Sequence, residues 1–181
     1  MDLAWHPWTA DVAEALASHV RGLLGAGPVE TGRLCPECGS AGHGRPWARH
    51  PAGTVQVSLS RSRPYLLTAV GGLAPLGVDV ESVTAVDGRW DPDVVLAPGE
   101  RAAGAEARAR LWVRKEAVLK AYGVGLSRPM ERLVLADFPG EVTDVAAPAG
   151  HVAAVAVLSL DPPLRAGRAA RSGTARRRTG R

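Results

Sequence analysis

The sequence predicts an α+β fold, and three observations carry that reading. A helical period near the start is followed by three short stretches of strand character; the strongest helix lies past the middle of the chain; and further strand-like runs follow it. With 21 Gly and 14 Pro among 181 residues, turns are frequent and elements short.

Thr9 is placed to cap a helix in which Val12, Leu16, Val20 and Leu23 or Leu24 recur at helical spacing, and Gly25-Ala26-Gly27-Pro28 ends it. Residues 32–54 are rich in Gly, Pro, Cys and His without a period and are expected to form a loop region. Val55 to Ser60 alternates apolar and polar residues. An Arg/Pro turn, Tyr65 to Val70, a Gly71-Gly72 turn and Leu76 to Glu81 then complete three consecutive strands. From Pro98, suited to a first helical position, the chain turns helical, and Ala105 to Tyr122 is a strong helix closed by Gly123. Leu133 to Ala136, Val142 to Val145 and Val152 to Leu160 read as strands.

Apolar residues make up 46% of the chain and charged residues 22%, as in ordinary soluble proteins, and the length suffices for a sizeable core. No stretch approaches the roughly 20 apolar residues of a membrane span, and Met1 to Val12 has no signal-like pattern. A cytoplasmic protein with no membrane partner is expected. Seven arginines and no acid lie between Arg165 and Arg181; removing them from the formal +4 leaves −3 for residues 1–164. The basic character thus belongs to a tail too poor in apolar residues to order itself, expected to be solvated, with attraction of an acidic protein or nucleic acid as the alternative; nucleic acid is not the expected partner of the protein as a whole.

Two short motifs carry chemistry. In Gly77-Val78-Asp79-Val80-Glu81, the two-residue strand period sends both valines to one face and both carboxylates to the other. Two carboxylates so placed can share magnesium, which takes one or a few carboxylates together with phosphate oxygens and water. Alone, the same five residues also fit a wet strand end. In Trp112-Val113-Arg114-Lys115-Glu116-Ala117-Val118-Leu119-Lys120, Glu116 and Lys120 are one turn apart on one helix face. That pair fits either a surface ion pair worth about 0.3–0.5 kcal/mol or a third carboxylate beside cations for a phosphate, Lys115 and Lys120.

Taken together, GVDVE and WVRKEAVLK resemble the paired motifs of the phosphopantetheinyl transferase superfamily, (V/I)G(V/I)D and (F/W)(S/C/T)xKE(A/S)xxK, separated by a few tens of residues. CPxCG…HGRP at Cys35 to Pro46, SLSxS at Ser58 to Ser62 and YGVGL at Tyr122 to Leu126 stand in the expected order, so the resemblance spans about residues 10–160. It points to the larger, surfactin-type branch, often tied to secondary metabolism. That branch implies two similar α+β lobes related by a pseudo-twofold, an active site between them, and a monomer, here with residues 1–74 and 75–164 as the lobes and 165–181 as the disordered tail. The resemblance implies Asp79, Glu81 and Glu116 as magnesium ligands, Lys115 and Lys120 on the pyrophosphate of coenzyme A, and Arg45, Pro46, Ser60 and Arg61 around its adenosine and 3'-phosphate. The implied reaction moves the 4'-phosphopantetheine arm of coenzyme A to a serine of an apo acyl or peptidyl carrier protein and releases 3',5'-ADP, with Glu116 as base and Lys120 as the other catalytic residue. Arg61 replaces the family's usual His, Val113 its usual small hydroxyl or thiol residue, and the usual arginines of the first helix are reduced to Arg21 and Arg33. Weaker phosphate anchoring is expected.

A rival reading starts from Cys35-x2-Cys38-x4-His43, with His50 further on, whose donor types suit zinc. Beside the basic tail it describes a small zinc-binding module for nucleic acid. The spacing is imperfect for a finger, and Gly and Pro flank it on both sides.

Overall fold

The computed structural model describes residues 1–124 and 128–160; the Arg-rich tail, and Gly125 and Leu126 of the YGVGL stretch, lie outside the described residues. The chain opens with β1 (Asp2–Pro7), for which the sequence gives no apolar alternation; the strand exists through its ladder to β5, Asp2 opposite Val70 and Pro7 opposite Tyr65. As an edge strand it tolerates Pro7. Helix α1 (Val12–Leu24) follows the expected stripe, but its cap is Asp11 and not Thr9, with Asp11 Oδ1 accepting from the Glu14 N–H at 2.9 Å. Residues 32–54 are also more ordered than expected. β2 (Glu30–Leu34) and β3 (Arg45–His50) pair from Glu30↔Arg49 to Leu34↔Arg45, leaving only residues 35–44 as the loop between them. Both strands are mostly half-exposed, so no apolar alternation announces them.

The three consecutive strands form as expected: β4 (Gly53–Ser62), β5 (Tyr65–Gly71) and β6 (Leu76–Ser82). Two short helices follow, α2 (Val83–Asp87), capped by Ser82, and α3 (Pro92–Val95), capped by Asp91. No helix begins at Pro98, where the chain makes a turn. The long helix α4 (Ala105–Tyr122) has the expected limits, ending at the left-handed Gly123. Leu133 to Ala136 is not a strand; tight 3-10 turns occupy Met130–Arg132 and Leu135–Asp137. β7 (Gly140–Val145) and β8 (His151–Leu158) close the fold.

The strands form two antiparallel sheets, ordered β1-β5-β4-β3-β2 and β6-β8-β7. Their wiring repeats. In each, a strand leads into the long helix, two later strands form a hairpin, and the last strand pairs back onto the first: β1-β5-β4 with α1, then β6-β8-β7 with α4. This is a two-lobe α+β fold, the first sheet extended by the β2–β3 hairpin and the second preceded on its helix side by α2 and α3.

Three apolar layers hold it together. Leu16 and Val20 of α1 pack on Ala48, Val57 and Val70. Leu67 and Ala69 of the first sheet meet Leu76, Val78, Val80, Ala153 and Val155 of the second. The other face of β8, through Val152, Ala154 and Ala156, packs on Ala109, Val113 and Ala117 of α4. The order is therefore helix, sheet, sheet, helix. Each fully buried Val or Leu contributes roughly 1.5–3 kcal/mol of transfer free energy to this arrangement.

Candidate active site

Because Val78 and Val80 are committed to the layer between the sheets, Gly77, Asp79 and Glu81 face α4. Gly77 lets the helix come close: a Cβ there would collide with the Ala117 carbonyl and the Ala121 amide. That approach sets the Glu116–Lys120 face of α4 against β6. Lys120 Nζ donates to Asp79 Oδ1 at 2.7 Å, to the Val78 carbonyl at 3.0 Å and to the Leu59 carbonyl at 3.4 Å, so one ammonium spans both sheets.

Serines of β4 bind the same junction from the other side. Ser58, Ser60 and Ser62 share the inner face of the first sheet; β6 is an edge strand with unpaired backbone groups. Ser58 Oγ accepts from the Val78 N–H at 3.1 Å and Ser62 Oγ from the Ser82 N–H at 3.0 Å, standing in for the missing neighbour strand. Between them Ser60 Oγ donates to Asp79 Oδ1 at 2.6 Å.

Asp79 is 3% exposed, and its Oδ2 is buried without a hydrogen-bond partner. Leaving a carboxylate oxygen dry and unpaired is costly unless something else meets it. Glu81 is held by Arg89, whose Nη2 donates to Oε1 at 2.9 Å, and by Ser62, whose Oγ reaches Oε2 at 3.4 Å. Burial, then the charge of Asp79, pushes the Glu81 carboxyl above its ordinary range. Glu116 is nearly buried, and its carboxyl is pushed up to about 7, first by burial and then by Asp79, with Lys120 opposing. Three mutually repelling carboxylates facing two cations, with one oxygen orphaned, make a place that a cation would relieve. Their oxygens do not reach the mutual 4.8 Å spacing found at Cys35, Cys38 and His43, the one three-donor group of that kind among the described residues. An open set suits magnesium, which retains water and phosphate ligands.

Beside this junction lies a cavity of about 360 Å³, lined by Arg33, Cys35, His43, Arg45, Pro46, Ser58, Leu59, Lys120 and Gly123 among others. Lys120 is the residue shared by the carboxylate cluster and the cavity. Arg45 borders it and a second hollow toward Trp47 and Tyr122. Its Nη2 donates to Gln56 Oε1 at 3.1 Å, and its guanidinium lies against Gly123, where a Cβ would sit 3.0 Å from Nη1. Arg33 donates to the Gly44 carbonyl at 3.1 Å. A mainly apolar hollow of this size, with Arg33, Arg45 and Lys120 as well as Glu37 on its wall, can take part of an anionic nucleotide-like ligand.

The structure brings together Asp79, Glu81, Glu116 and Lys120, with Ser60 bonded to Asp79 and with Arg45 and Pro46 on the adjoining cavity. It does not bring Lys115 or Arg61 there. Lys115 leaves α4 on the opposite side and is fully buried, its ammonium bonded to the Val95 carbonyl at 2.7 Å and the Met130 carbonyl at 3.1 Å and ion-paired with Glu100. Consecutive helix positions point about 100° apart, so Lys115 leaves α4 in a different direction from Glu116. Arg61 lies on the outer face of β4, donating to the Ala10 carbonyl at 2.8 Å and stacking on Trp8. Val113 belongs to the buried core stripe of α4. Of the two first-lobe arginines, Arg33 reaches the cavity and Arg21 pairs with Glu14 on the surface. The SLSxS motif contains the flanking serines Ser58 and Ser62 without giving them a role, and nothing in the sequence marks Arg89.

No helix among the described residues is long and apolar enough to cross a membrane. A comparison with curated proteins finds no match to the chain. Residues 75–157, the stretch carrying β6, α4 and with them Asp79, Glu81, Glu116 and Lys120, match the family model of the 4'-phosphopantetheinyl transferase superfamily.

Proposed function

We propose that this chain is a surfactin-type phosphopantetheinyl transferase, moving the 4'-phosphopantetheine arm of coenzyme A to a serine of an apo acyl or peptidyl carrier protein. The observation that carries the reading is the joining of an anionic cluster, Asp79, Glu81 and Glu116, to a cationic cavity through the single side chain of Lys120. The same proposal divides the chain into lobes at 74/75, with the site at their junction.

Magnesium bound at the carboxylates would neutralise the pyrophosphate oxygens of coenzyme A. The residues supply the rest. Arg45, Arg33 and Lys120 hold the phosphates in the cavity, and Pro46 shapes its wall. In the transfer, the serine oxygen forms a bond to the β-phosphorus, the bond from that phosphorus to the bridging oxygen breaks, and 3',5'-ADP leaves with the electron pair. The serine proton passes to Glu116, the carboxylate beside Lys120 on α4. The contacts of Lys115 with the Val95 and Met130 carbonyls and with Glu100 support a role for it in fastening those segments to α4.

Cys35, Cys38 and His43 lie on a hairpin loop in the wall of this cavity and not on the strand-and-helix unit of a finger. His50, at the end of β3, stands apart from them, its Nδ1 accepting from the Ala52 N–H. The experiment is incubation with coenzyme A, magnesium and a panel of apo carrier proteins, read by intact mass. At least one carrier gains a phosphopantetheine, EDTA abolishes the gain, and no gain on any carrier by folded protein refutes the reading.

A further inference from the structure

The carboxylate cluster and Lys120 leave unexplained the ten residues between β2 and β3. We infer that Cys35, Cys38 and His43 form a zinc site that fastens this loop as the wall of the cavity. One sulfur from each cysteine and one ring nitrogen of His43 lie within 4.8 Å of one another, and Cys38 Sγ is 3.4 Å from His43 Nε2. Two thiolates and an imidazole are soft and borderline donors, which select zinc over magnesium or calcium.

The backbone of the loop draws the three donors together. Cys35 to Ser40 forms a tight knuckle, with the Gly39 N–H donating to the Cys35 carbonyl and the Cys35 N–H to the Ser40 carbonyl, both at 2.9 Å. The neck is pinched shut by Gly44, at φ 98°, where a Cβ would stand 2.5 Å from the Cys35 Cα. That closure brings His43 back over Cys38, and Arg33 locks it by donating to the Gly44 carbonyl. Cys35 is buried while Cys38 and His43 are exposed, so an ion can enter from solvent. Zinc takes both sulfurs as thiolates, so binding releases the thiol protons and leaves the site neutral; a fourth position is left to water. Arg45 follows directly on the neck, which makes the zinc loop the anchor of a cavity arginine.

The test uses full-length protein purified under reducing conditions and dialysed against a weak chelator, followed by elemental analysis. Wild type retains stoichiometric zinc; Cys38→Ser and His43→Ala lose most of it, while His43→Cys, which supplies another thiolate, keeps it. After stripping with a strong chelator and reductant, cobalt(II) restores a thiolate-to-cobalt charge-transfer absorption in wild type and not in Cys38→Ser. Zinc content that is low in wild type and unchanged in the variants overturns the inference, as does metal-free protein carrying a Cys35–Cys38 disulfide. Should a variant fail to fold by circular dichroism, the cobalt titration of stripped wild type decides. These readouts are metal content and absorption, so they stand or fall separately from carrier modification.

Discussion

Glu116 and Lys115 are neighbours in sequence with opposite surroundings, and the difference predicts opposite phenotypes. Lys115 is buried on its far side of α4 among two carbonyls and Glu100. Lys115→Ala strands those partners in a dry environment and should cost about 3 kcal/mol of stability in denaturant melts, with kcat per folded molecule little changed. A large loss of kcat at unchanged stability would return Lys115 to the phosphates. Glu116 is the titrating member of its cluster. Its carboxyl rises from 4.5 when exposed to about 7 when folded, so the folded chain holds a proton that the unfolded chain has released between those values. Its contribution to stability is therefore full below 4.5 and lost as pH rises through about 7. Without divalent metal, Tm should fall across that window. Glu116→Gln or added magnesium should flatten the slope, and an unchanged slope in both would contradict a buried carboxyl in need of a cation.

At the scale of elements, the site depends on how closely α4 lies on β6. Gly77 has no room for a side chain beneath Ala117 and Ala121, so Gly77→Ala must lift the helix or bend the strand. We expect a loss of about 3 kcal/mol in denaturant melts, together with weaker metal binding, because Lys120 and Glu116 move with the helix. Stability equal to wild type would mean that the approach is not needed. The legibility of these elements in the sequence follows their packing. α4 could be read from its strong helix formers and its Gly123 stop, and β6 and β8 from the apolar residues that they bury between layers. β1, β2 and β3 could not, since half-exposed strands need only partners supplied by other parts of the chain, and α2 and α3 are too short for a period. Thr9 lost the cap to Asp11 two residues on, a choice that composition does not decide. The motif residues were legible as a set, yet spacing along α4 already separated Lys115 from Glu116, and only the structure shows that its side is the packed one.

For the whole molecule, two similar sheet-and-helix units meet across an apolar layer, and the seam along β4 and β6 at its edge is polar. Ser58, Ser60 and Ser62 from one sheet and Lys120 from the other side complete an edge that would otherwise lack partners, and Asp79 sits in the middle of that seam. Stability and chemistry thus share residues: the groups that join the units also hold the carboxylates at the mouth of the cationic cavity. The direct measurement is phosphopantetheine transfer to an apo carrier by wild type and Glu116→Gln in parallel, with magnesium and coenzyme A saturating and intact mass as readout. Wild type should modify the carrier, and Glu116→Gln, which keeps the shape of the side chain and the whole cavity, should turn over roughly 10²-fold more slowly or less, with coenzyme A binding largely retained. Near-normal turnover by folded Glu116→Gln would contradict the placement of the reaction at this seam.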